Sequence, residues 1–95
     1  MTLATPKPWT LVAGGDIMFY GIGAKTAPLN EIASTFRRAD IAYANLEIPI
    51  TSAQTPTRRK TAEEIKAKHQ FILKADPGHI ANLKGTFDLL SLANN

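Results

Sequence analysis

Three short apolar runs constrain this chain more than any other feature: "WTLVAGG" at 9–15, "DIAYANLEIPI" at 40–50 and "FDLLSLA" at 87–93. Each reads as a buried strand, and helix-patterned sequence lies between them. From Pro28 onward Leu29, Ile32 and Phe36 recur at helical spacing, Pro28 suits a first turn, and Arg37 and Arg38 fall at the negative end of the helix dipole. Before the third run, Asp76 is a good N-cap, Pro77 a good first residue and Gly85 a C-cap, with Ile80 and Leu83 on one side. This predicts a helix over about 77–84. Strand, helix, strand, loop and helix, strand is the order that builds a parallel sheet with right-handed crossovers, so the expected fold class is α/β.

The remaining stretches are read from their punctuation. Pro6 and Pro8 make residues 1–8 a frayed lead-in, and Gly14-Gly15 reads as a tight turn that leaves Asp16 at the C-terminal end of the first strand. Pro49 forbids continuation of the second strand in a sheet interior. Residues 51–68 form a polar surface loop with one or two helical turns in "TAEEIKAKH", and "FILK" is a short extended piece. With 95 residues, 44% hydrophobic and 20% charged, the chain fits one small domain, 1–95, with a core of its own. The absence of cysteine excludes disulfides and thiolate metal sites, so any metal needs oxygen and nitrogen ligands. The net charge of +3 is spread along the chain, and only Arg58-Arg59-Lys60 forms a basic cluster. A solvated loop explains such a triplet better than nucleic-acid binding does. The N-terminus carries no apolar stretch of signal-peptide or membrane-spanning length, which gives the expectation of a soluble, unexported chain.

In open parallel sheets, ligands bind beyond the carboxyl ends of the strands. Here those ends carry Asp16, Asn45 with Glu47, and Asn94-Asn95. Two carboxylates and several carboxamides at one rim would repel or stay unpaired without a positive charge among them. A divalent cation such as Mg²⁺, Mn²⁺ or Ca²⁺ supplies it, and with added histidine Zn²⁺ or Fe also fits. Asp, Asn and Gly are also ordinary turn residues at strand ends, and both readings stand on the residues alone. Three further features carry less. "GGDIMFYGIGAKT" contains neither GxGxxG nor the adjacent Gly-Lys of a P-loop. His69 and His79, in a polar loop and a helix, read as surface histidines, and Ser91, inside a strand, reads as packing.

The blocks "GGDIMFYG", "ADIAYANLEIPIT" and "FILKADPGHIANLKGTFDLLSLANN", in this order from about Leu11 to Asn95, resemble the capsule-synthesis, or poly-gamma-glutamate biosynthesis, family called CapA. That family is similar to the calcineurin-like metallophosphoesterases, which implies a layered β-sandwich flanked by helices with metals at the strand tips. The resemblance implies that Asp16 and Asn95 are metal ligands, that Glu47 bridges two metals, and that Asn45 and Asn94 support them. The metal would be Mn, Mg, Zn or Fe; no catalytic residue is assigned. Two departures matter. Met18 stands where the phosphoesterases have a histidine, and the family's next residue after Asn95 is a histidine, the general acid. The chain therefore resembles the N-terminal part of a longer domain, and by itself, without that general acid, is expected to be inactive. What the resemblance implies is either a metal-dependent hydrolase acting on a phosphoester or a polyglutamate amide, or a non-catalytic accessory of a membrane-bound polymer synthase or exporter, in a family often extracytoplasmic. The partners would be an anionic polymer touched by Arg58 to Lys60 and the synthase components. A sheet without its sandwich partner would expose an apolar face, which gives the further expectation of self-association.

Overall fold

The computed structural model describes residues 5–23, 26–54, 61–68 and 73–94. Its fold is α/β. A parallel sheet of three strands, β1 (Leu11–Ile17), β2 (Ile41–Leu46) and β3 (Leu89–Ser91), lies in the order β1-β2-β3. Between β1 and β2 runs helix α1 (Asn30–Arg37). Between β2 and β3 come α2 (Ala62–Lys68), a 3₁₀ turn at Pro77–His79, and α3 (Ile80–Lys84). Pro28 lies in the turn before α1 rather than in its first turn. Asp76 caps the second helical unit as expected, its carboxylate accepting from the Gly78 amide at 2.7 Å. α2 is secured by a reciprocal pair in which Glu64 N donates to the Thr61 hydroxyl and Thr61 N to the Glu64 carboxylate, a capping box that the weak apolar pattern did not reveal.

Alternation along β2 divides the sheet into two faces. Ala42, Ala44 and Leu46 are buried, while Ile41, Tyr43 and Asn45 between them are half-buried. Ala44 and Leu46 of the buried row pack with Ile17, Phe19, Ile48, Ala75 and Leu83 into the core, and Leu29, Phe87 and Leu90 close around it. Phe36 of α1 meets Phe87 edge-on at 4.9 Å between ring centres. Among the described residues nothing covers the opposite face: Leu11 and Leu89 are more than half exposed.

Two expectations about strands are corrected. The third run forms only a three-residue strand, Leu89–Ser91, and its first residue is exposed because Leu89 stands beside Tyr43 on the face opposite the core. The glycine pair is not a turn. β1 passes straight through Gly14 and Gly15, and the turn comes later, at Gly21, whose φ of 75° suits glycine. Register shows why: Ala13 pairs with Tyr43 but Asp16 pairs with Asn45, so two residues of β1 face the single Ala44 in a β-bulge. Gly14 is required there by contact, since a Cβ would lie 3.2 Å from Phe36 Cζ.

Pro49 ends β2 as expected, and beyond it Ile50 makes a lone parallel bridge, to Ala75. His79, read from sequence as a surface residue, is fully buried. Its ring stacks on Phe19 at 4.2 Å, Nε2 meets the Ile22 carbonyl at 2.9 Å, and Nδ1 meets the Asn82 amide nitrogen at 3.0 Å. A donor at Nε2 and an acceptor at Nδ1 satisfy both contacts, so His79 fastens the loop after β1 to α3. His69, the extended piece at Phe71-Ile72, and Arg58 to Lys60 lie outside the described residues.

Candidate site at the strand tips

The bulge in β1 decides what the rim of the sheet presents. With unbroken alternation Gly15 would stand beside Asn45 and Asp16 would turn toward the helices. The extra residue shifts the strand by one, which transfers Asp16 to the open face. Asp16, Asn45 and Ser91 then form a row across the three strands. Glu47, two residues beyond Asn45, follows on the same face, and its amide bonds to the Ile17 carbonyl to prolong the ladder by one step.

At the centre of this row is the Asn45 carboxamide. Its nitrogen lies 2.9 Å from Asp16 Oδ1, 3.0 Å from Glu47 Oε2 and 2.8 Å from Asn94 Oδ1. Asn94 is held in turn by its own amide, which donates to the Leu46 carbonyl at 2.6 Å. The structure thus brings together four of the five residues expected at the site, Asp16, Asn45, Glu47 and Asn94; Asn95 lies outside the described residues. Asn45, read as a supporting residue, is the hub to which the other three are bonded. Strand alternation in the sequence places residues 45 and 47 on one face, but the contacts that make Asn45 the hub come from Asp16 and Asn94, distant in the chain. Ser91, read as packing, sits in register with the row.

The arrangement is overloaded with acceptors. An amide nitrogen carries two hydrogens and here meets three oxygens, two of them on carboxylates. An electropositive ion among hard oxygen donors would relieve that imbalance, so the residues present fit a divalent cation. The donors are two carboxylates and two carboxamides; among the described residues no three His, Cys, Asp or Glu side chains stand together. Beside the cluster runs an apolar groove of about 570 Å³, bordered by Ile48, Ile50, Ile80, Leu83 and Leu92, with Glu47 and Asn94 at its polar end.

The family model described as Bacterial capsule synthesis protein PGA_cap matches residues 10–95. The chain belongs to that family. Its match covers all three strands and every described residue of the strand-tip cluster, so the bulge and the rim are features of a PGA_cap sequence rather than of flanking chain. The resemblance read from "GGDIMFYG", "ANLEIP" and "LANN" is therefore upheld, and with it a role in capsule synthesis. No curated protein and no solved structure matches the chain. Among the described residues, no helix of this PGA_cap chain is long and apolar enough to cross a membrane.

Proposed function

We propose that the rim of the sheet binds a divalent cation with Asp16, Glu47 and Asn95 as ligands and Asn45 and Asn94 in support, and that this centre serves a hydrolytic step in capsule or poly-gamma-glutamate synthesis. The observation that supports it is the convergence of three oxygens on one amide nitrogen, at 2.8 to 3.0 Å, on the exposed end of a parallel sheet. A bound cation would polarise a phosphoryl or acyl oxygen and acidify water. The chain's own part is to hold the oxygens at one point. β1 delivers Asp16 through its bulge, β2 delivers Asn45 and Glu47 from one face, and the Leu46 carbonyl anchors Asn94. The groove beside Glu47 would seat the apolar portion of a substrate while the rim holds its polar end.

A non-catalytic reading has its own support. His79, the described histidine, is buried with both ring nitrogens engaged in fastening the 19–22 loop, and so does not face the rim as a proton donor. In that reading the cation-bearing rim is an accessory of a polymer synthase, with Arg58 to Lys60 meeting the anionic polymer. The uncovered sheet face, with Leu11, Tyr43 and Leu89, is then what a synthase component or a second copy covers.

Calorimetric titration with Mn²⁺, Mg²⁺, Ca²⁺ and Zn²⁺ tests the shared premise. Binding of at least one cation in roughly the millimolar range, as for open sites of low charge, is expected, and its loss in both Asp16→Ala and Glu47→Ala. Wild-type protein that takes up none of the four ions overturns the proposal. Hydrolysis of a phosphodiester by the 95-residue chain above a metal-only blank, abolished in Asp16→Ala, would decide for the enzyme over the accessory.

A further inference from the structure

We infer that Asn45 is a built-in placeholder at this rim: its amide group stands in for the cation when none is bound, and turns to offer its oxygen when one arrives. This rests on the cation-binding reading above. The other members of the cluster have little freedom to adapt. Asn94 is oriented by its bond to the Leu46 carbonyl, which leaves its oxygen aimed at Asn45. Asp16 and Asn45 are fixed at the backbone by their pairing in the ladder, and the Glu47 amide is tied to Ile17. What can change cheaply is the terminal torsion of Asn45, which is broad and nearly two-fold.

In one orientation the amide nitrogen satisfies Asp16, Glu47 and Asn94 as far as two hydrogens allow. In the other, Oδ1 joins three acceptors, which is unfavourable by itself and favourable only around a positive ion. The same side chain therefore holds the rim together without a cation and becomes a ligand with one. The cost of breaking its contacts keeps the affinity low. A site of this kind releases and rebinds its ion readily.

Thermal unfolding of the 95-residue chain, followed by circular dichroism across a Mn²⁺ titration, tests this without reference to activity. In Asn45→Asp the donor is lost and a ligand charge gained. Its midpoint without Mn²⁺ should fall below wild type, and half-saturation should come at about tenfold lower Mn²⁺, since ligand charge tunes such sites over decades. If the variant is unfolded in chelator, recovery of the native spectrum with Mn²⁺ supports the inference equally, and failure to recover at saturation overturns it. Asn45→Leu, which offers neither donor nor oxygen, should bind Mn²⁺ more weakly than wild type. Binding as tight as wild type in Asn45→Leu, or no tighter in Asn45→Asp, overturns the placeholder role while leaving the cation site intact. No response to Mn²⁺ in wild type or either variant overturns the cation site itself.

Discussion

The two ends of the sheet use the same residue type in opposite ways. At the N-terminal end, Asp40 accepts from the Thr10 amide at 2.8 Å, and Asp88 accepts from the Ala42 amide at 2.7 Å while its own amide donates to the Ala42 carbonyl at 2.9 Å. Each carboxylate there takes the place of a strand carbonyl just before its strand begins, and so sets the register of β1 on β2 and of β2 on β3. At the C-terminal end, among the described residues Asp16 and Glu47 meet no backbone donor; both lean on the one Asn45 amide. A carboxylate bonded to a backbone N–H stabilises the fold, whereas carboxylates crowded on a shared side chain repel each other. The difference separates acidic residues that build the sheet from those left available to a ligand.

Three changes would break or sharpen this contrast. The largest effect is expected from inserting a glycine between Gly15 and Asp16, which with the bulge retained carries Asp16 one place on, opposite Leu46 on the helix-covered face, and places an unpaired carboxylate against the core. A loss on the order of 3 kcal/mol or more, seen as a collapse of the urea midpoint, is expected; an insertion variant as stable as wild type would mean that register does not direct Asp16. Next comes Asp88→Ala, which orphans the part-buried Ala42 amide and should cost about 1–3 kcal/mol, with β3 losing amide-exchange protection before β1. The smallest effect belongs to the rim: in chelator Asp16→Asn or Glu47→Gln should change stability by no more than about 0.5 kcal/mol, or raise it slightly by easing repulsion. A destabilisation matching that of Asp88→Ala would erase the distinction between the two ends.

Much of this was legible before the fold was known, for identifiable reasons. The apolar runs and the helix signals at Asp76-Pro77 depend on local chemistry, and the elements formed where those signals stand. Glu47 and Asn45 could be placed on one face because strand alternation is a local rule. The glycine pair was misread because a turn and a bulge use the same residue, and only pairing with a neighbouring strand tells them apart. His79 was misread for a related reason. Its helix is amphipathic on local evidence, but the partners that bury it, Phe19 and the Ile22 carbonyl, come from a loop more than fifty residues away in sequence. Asp88 gave no signal at all, being one polar residue before an apolar run until Ala42 was laid beside it.

By itself the sequence determined the α/β alternation, the strand tips as the place where polar residues gather, and the membership in the PGA_cap family, since each follows from periodicity, local punctuation or ordered motifs. Only the tertiary structure decided which face Asp16 takes, that Asn45 is the hub of the rim, and that His79 is a buried fastener. All three depend on register and on contacts between segments distant in the chain, and no local pattern encodes a register shift of one residue.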